Sequence, residues 1–181
     1  TGGLSIPKIG ATDLGYRIAR SFGHKIVETI PALDGFTLKS DETASLKELS
    51  GVSVDCVIES GGLSFRENIL FTHSGLSGPA ALQASLHWKR GEPITINLLP
   101  EVDATQWLLQ EKRSGSRSLV RNRLSELLPN RLADLLCALY FTNDRPLLQV
   151  GDKELEALGA RLNSWSIVPS GTVGYSKAEV T

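Results

Sequence analysis

Apolar and polar positions alternate at Val52, Val54, Cys56 and Ile58, the period of a strand with one buried face. The turn Ser60-Gly61-Gly62 follows, and residues 63–71 predict the antiparallel return strand of a hairpin. Upstream, Leu14, Ile18 and Phe22 share one helical face behind Thr12 or Asp13 as cap, and Gly23 supplies the stop. Residues 25–30, ended by Pro31, and residues 36–39 have strand character, while residues 42–49 fit a single helical excursion or a loop. Residues 94–99 predict a further strand after the turn at 90–93. The turns joining these strands are too short for parallel crossovers, so the sheet is expected to be antiparallel.

The period changes after Pro100. Asp103 can cap a helix over 104–110, and Ser116 or Ser118 can open one that carries Val120, Leu124 and Leu127 and closes at Pro129. Leu132, Leu135, Leu136 and Leu139 fall at i, i+3, i+4 and i+7, and Leu155, Leu158 and Leu162 make a third stripe. Three helices with short links predict a small helical lobe at 101–164. Residues 165–168 and 172–175 revert to strand character, returning the chain to a β-rich lobe made of 25–100 and 165–181. The fold class is therefore α+β.

Composition narrows the function classes. Apolar content of 41%, charged content of 22% and a net charge of −1 describe a soluble globular chain with no global pull toward nucleic acid or anionic membrane. The longest nearly apolar run, 132–141, contains Asp134 and is too short to cross a bilayer. Cys56 and Cys137 sit in apolar patterns and are expected as buried thiols, which together with the missing export signal points to a cytoplasmic setting. The chain has no methionine. It opens on Thr1-Gly2-Gly3 and closes without a breaker after Lys177, so it is expected to be a segment excised from a longer protein.

Candidate chemistry concentrates in residues 71–82, where an apolar stretch runs into Thr72, His73, Ser74, Gly75, Ser77 and Gly78 before a helix opens at Pro79. The glycines would allow a tight turn and close approach of a ligand, and the helix start would suit a phosphate or carboxylate. The competing reading is a structural strand-to-helix turn capped by Ser77. His24 and His87 fall at helix ends, where structural roles are expected; His73 alone lies in a loop suited to close approach. There is no glycine-rich dinucleotide fingerprint, no P-loop and no metal-ligand spacing. Arg113, Arg117 and Arg121 recur every fourth residue and would share a face if the helix ran through Gly115. Such a face could meet the phosphates of RNA or of a cofactor tail. No aromatic residue interleaves with these arginines, which favours a solvated face over a nucleic-acid site.

The opening run Thr1 to Tyr16 with Ala19, Gly23 and His24, the run Phe65 to Pro79, Ile96 to Pro100, and the closing run Gly171 to Thr181 together resemble the middle of the YhiN-type flavoproteins, the group that includes BaiN and aminoacetone oxidase. The resemblance covers essentially the whole chain. It implies an FAD-dependent, NAD(P)-linked oxidoreductase whose FAD-binding domain is split around an insert with a β-rich, barrel-like part and a helical part. This chain would be that insert, with residues 1–24 as the junction and no complete Rossmann domain of its own. Thr1, Gly2 and Gly3 would then lie against FAD, and Ser5 and Pro7 would border the flavin. His73, Ser74, Gly75, Ser77 and Gly78 would face the flavin or the substrate, with His73 as a polar or proton-handling group. The implied partners are the FAD-binding domain of the same polypeptide and a small-molecule substrate, and the isolated segment would be inert. The alternative is a module that binds a macromolecule such as RNA through Arg113, Arg117 and Arg121.

Overall fold

The computed structural model describes residues 3–39, 46–141 and 145–181. Thr1 and Gly2, expected to lie against a cofactor, fall outside the described residues, as do residues 42–45, while Lys47–Leu49 form a 3-10 turn. Seven strands make one sheet: β1 (Phe36–Thr37), β2 (Ser53–Ser60), β3 (Leu63–Phe71), β4 (Gly75–Ser77), β5 (Ile94–Asn97), β6 (Trp165–Ile167) and β7 (Gly171–Thr172). Their order is β6-β5-β2-β3-β4-β1-β7, and every pairing is antiparallel. The described residues also form six α-helices: α1 (Leu14–Ser21), α2 (Pro79–Ser85), α3 (Ala104–Arg113), α4 (Val120–Leu124), α5 (Asn130–Tyr140) and α6 (Asp152–Asn163). This is the α+β class with an antiparallel sheet that the residue pattern predicted.

The hairpin forms where alternation placed it. Val54, Cys56 and Ile58 point into the core, and β2 pairs with β3 from Ser53↔Leu70 to Ser60↔Leu63. Helix α2 lies on this sheet, and its small residues Ala80, Ala81 and Ala84 are fully buried, which brings the helix axis close to the strands. At the corner between β5 and the helices, Asn163 at the end of α6 donates to Asn97 Oδ1 (3.0 Å), Leu99 O (3.1 Å) and Val102 O (2.8 Å). Its own Oδ1 accepts from the Ala104 N–H at 2.8 Å. One amide thus satisfies three carbonyl groups and the first free N–H of α3. Asp103 caps α3 as expected, accepting from the Gln106 N–H at 2.9 Å.

Several expectations need correction. Residues 25–30 join no strand, and Val27 and Ile30 are exposed, because no neighbouring strand is available to them. The helical lobe holds four helices, the one capped by Asp103 in addition to the three with apolar stripes. The helix expected from Ser116 or Ser118 begins only at Val120, with Leu119 in the cap position, because residues 118–119 are drawn into contact with 146–147. The Leu147 N–H donates to Ser118 O at 2.8 Å. Gly115, at φ 81°, ends α3, so Arg113, Arg117 and Arg121 do not share one continuous helix. The face of α1 formed by Leu14, Ile18 and Phe22 is also uncovered, with Phe22 77% exposed. No helix among the described residues is long and apolar enough to cross a membrane.

Candidate functional site

Strand β3 carries the chain into the core at Phe71, whose ring stacks 6.3 Å from Trp165. The backbone then reverses through Thr72–Gly75. The Thr72 N–H donates to Gly75 O at 2.8 Å, and Thr72 Oγ1 accepts from the Gly75 N–H at 3.1 Å. A hydroxyl that closes its own turn is the local chemistry that makes threonine useful here. Strand β4 leaves this turn wedged between β3 and β1, in the registers Phe71↔Leu76 and Phe36↔Leu76.

Both glycines of the loop are required by the chain itself. A Cβ on Gly75 would lie 2.2 Å from Phe36 O, and one on Gly78 would lie 2.8 Å from both Asn68 O and Leu70 N. Their missing side chains admit neighbouring strands, so the close approach they permit is already taken up by backbone. Gly78 (φ 86°, ψ 164°), and not Ser77, occupies the cap position of α2; Ser77 belongs to β4. The expected Ser77 cap is therefore replaced by the β4 pairing.

The residues left available are His73, which is exposed and makes no hydrogen bond among the described residues, the half-buried Ser74, and exposed Pro79. Ser74 O accepts from the Leu38 N–H at 3.0 Å, which fixes the loop to the end of β1. Beside it, Thr37 Oγ1 lies 3.1 Å from Ser170 Oγ, and Ser170 Oγ donates to Thr37 O at 3.0 Å. Thr72, Ser74, Thr37 and Ser170 thus line the β4–β1–β7 edge with hydroxyl groups, and residues 72–79 carry no charged side chain. Thr37 and Ser170 escaped the sequence reading because they meet across 133 residues through the β1–β7 pairing.

The junction residues form a second cluster beyond the other end of β1, where Ala32 pairs with Val180. Ser5 is buried, with its Oγ 3.0 Å from Thr181 Oγ1, and the Leu4 N–H donates to that same hydroxyl at 3.1 Å. The Ile6 N–H donates to Tyr175 O at 2.7 Å, and exposed Pro7 opens a 3-10 turn over Pro7–Ile9. Gly3 (φ 79°) faces Thr181 Oγ1, 3.2 Å from where its Cβ would be, and Tyr16 Oη at 3.8 Å. Close by, a cavity of about 310 Å³ opens between α1 and residues 26–29, lined by Leu4, Asp13, Tyr16 and Arg20 among others. Asp34 was not foreseen: it is fully buried, Oδ2 accepts from the Gly174 N–H, and Oδ1 has no partner among the described residues. Its only sequence signal was an Asp-Gly pair, which reads as a turn. Among the described residues no hydrogen bond joins the His73 loop to the Ser5 cluster, and the strand register keeps them at opposite ends of β1, Ser74 beside Leu38 and Thr181 beyond residues 32–33.

A seven-stranded antiparallel sheet carrying a four-helix insertion sets the fold, and the chain belongs to the family described as the HI0933-like protein barrel and H2TH domain, whose model matches residues 30–180. Among curated proteins, the chain is 43% identical over 182 aligned residues to a ribosomal RNA dihydrouridine synthase of Escherichia coli (strain K12), covering all of this chain and 46% of that protein. It is 36% identical to a protein of the same name from Haemophilus influenzae (strain ATCC 51907 / DSM 11121 / KW20 / Rd), covering all of this chain and 45% of that relative. The chain thus spans less than half the length of these relatives. They carry an RNA-modifying name in place of the BaiN or aminoacetone oxidase names that the resemblance suggested.

Proposed function

We propose that this chain is the substrate-side part of a flavin-dependent enzyme that reduces uridine in ribosomal RNA, with FAD held by polypeptide outside these residues. The observation that carries the reading is the 43% identity, over the whole chain, to a relative named for dihydrouridine synthesis in ribosomal RNA. Saturating the C5–C6 bond of uracil takes two electrons and two protons, and a bound flavin supplies two-electron chemistry.

The described residues do not fit a flavin cradle. The space beside Gly75 and Gly78 is filled by strand backbone, and Gly3 faces Thr181 and Tyr16 of its own chain. What the chain offers is the loop at residues 72–78. In this reading His73, exposed and without a hydrogen bond among the described residues, hands a proton to the base, and the Ser74 hydroxyl, 3.5 Å from Thr72 Oγ1, holds the polar edge of a uracil. The uncovered α1 face, with Leu14, Ile18 and Phe22, fits a docking surface for the rest of the polypeptide.

The test uses the full-length protein, FAD, a reduced nicotinamide and ribosomal RNA from cells lacking the protein, with dihydrouridine read by mass spectrometry. Dihydrouridine is expected to form with the native protein. With His73→Ala, folding and bound flavin should be unchanged and turnover should fall by roughly 10²–10⁴ if the imidazole transfers the proton. Flavin-loaded protein that forms no dihydrouridine in any ribosomal RNA would refute the reading. Unchanged turnover in the variant would remove only His73.

A further inference from the structure

We infer that the cavity walled by Leu38, Leu139, Trp165 and Ile167 is where a uridine nucleotide, swung out of the ribosomal RNA, lodges its base, and that Arg161 in the same wall takes its phosphate; the inference rests on the RNA reading proposed above. The chemistry requires such a place. Reducing the C5–C6 bond means reaching the face of the uracil ring, which a stacked and paired base hides. The nucleotide must therefore leave its stack and be held by protein.

The cavity lies where β6 and the end of α6 meet α5 and the residue after β1. It encloses about 150 Å³, and its lining includes Leu38, Leu139, Arg161, Trp165, Ser166 and Ile167. That is well below the roughly 300 Å³ at which pockets for larger ligands begin, a size for one ring. Leu38, Trp165 and Ile167 are buried and Leu139 is 54% exposed, so the cavity has a packed apolar floor and an open rim.

The second support is the cation in this wall. Arg161 stands in the last turn of α6, with its Cζ 5.8 Å from the centre of the Trp165 ring. That contact holds the side chain in place without neutralising it. Among the described residues Arg161 has no carboxylate partner, and no acid stands three or four positions from it along α6. The Ser166 hydroxyl also has no hydrogen bond among the described residues, which leaves it for a polar edge of the ring. An apolar slot beside one unneutralised cation fits a flat ring joined to an anion, which is the chemistry of a nucleotide. By contrast, the cavity beside Glu59 and the one at Glu101 and Asp103 are lined by acids and no base, and would repel a phosphate.

The cavity also adjoins the His73 loop at both ends of the loop. Leu38, in its lining, donates its N–H to Ser74 O at 3.0 Å, and Trp165 stacks on Phe71, the last residue before the loop. A base seated there lies against the segment that carries His73 and Ser74.

The experiment uses the full-length, flavin-loaded enzyme and ribosomal RNA from cells lacking the protein, and compares the native enzyme with Arg161→Gln and with Leu139→Trp, which fills the cavity from its rim. Flavin reduction by the nicotinamide, which needs no RNA, is read beside kcat/KM for dihydrouridine formation. With Arg161→Gln, flavin reduction should stay native while kcat/KM falls roughly 10- to 100-fold, the loss expected for a charged hydrogen bond to phosphate. Leu139→Trp should lower kcat/KM at least as far. Native kcat/KM in either variant would overturn the pocket and leave the RNA reading standing, and so would an equal fall in flavin reduction, which marks a structural role. Should Leu139→Trp fail to fold, Arg161→Gln decides alone. A native enzyme that makes no dihydrouridine in any ribosomal RNA would bring down the RNA reading and the pocket with it.

Discussion

Helix α6 carries Gly159 in its interior, where alanine would ordinarily be the better residue by about 1 kcal/mol. The structure reverses that sign. A Cβ at position 159 would lie 2.4 Å from Thr105 Oγ1, 2.5 Å from Thr105 Cα and 2.6 Å from Thr105 N. The hydroxyl could rotate away, but the two backbone atoms belong to the first turn of α3 and move only if the helices separate. Overpacking of this kind costs about 1–3 kcal/mol and can cost more. Separating the helices would also strain the Asn163 corner, whose four hydrogen bonds depend on the same crossing. Gly159→Ala is therefore expected to destabilise the protein by about 1–3 kcal/mol net, or roughly 3–10 °C in Tm for a chain of this size. Gly15 in α1 is the internal control, because its Cβ would meet nothing within 4 Å and its φ is ordinary. There the same substitution should stabilise by about 0.5–1 kcal/mol. Urea denaturation followed by circular dichroism reads both. If Gly159→Ala matched or exceeded the native stability, α3 and α6 would not cross as closely as argued and the packing account of the lobe would be wrong.

Two further predictions concern titration. Burial pushes the Cys56 thiol up from 9.0 to about 12, so the folded protein keeps it protonated where the unfolded chain does not. Its contribution is intact below about pH 9 and is lost as pH rises toward 12; Cys56→Ala should flatten that alkaline decline, and rapid native-state labelling of Cys56 at pH 8 would contradict its burial. The Glu154 carboxyl is held below its ordinary range first by the Gly151 N–H at 2.9 Å and then by Arg145 at 2.6 Å. Its contribution is present above the ordinary carboxylate range and is lost as pH falls through the lowered value. The stability gap between the native protein and Glu154→Gln should therefore close on acidification, and a pH-independent gap would exclude this cap.

The loop at residues 72–79 shows how far local pattern reached. Its place between a strand and a helix was legible, because proline, glycine and small polar residues restrict backbone geometry locally. Its glycines were open to a ligand reading, and only the tertiary structure shows Phe36 and Asn68 backbone where a ligand would have come. Residues 25–30 had strand chemistry, but pairing requires a neighbour that propensity does not supply. For the arginines the spacing was correct and the shared helix was not, since one left-handed glycine reset the direction of the chain.

The sequence by itself determined the α+β class, the β2–β3 hairpin, the capped start of α3 and the apolar stripes, all of which depend on periodicity and on residues a few positions apart. The tertiary structure decided which groups meet across longer stretches of chain: Ser170 with Thr37, Asn163 with Asn97, Leu99 and Val102, and Arg123 with Glu111. These contacts carry little signal along the chain, because a hydroxyl, an amide or a guanidinium has the same local preferences whatever partner the fold brings to it.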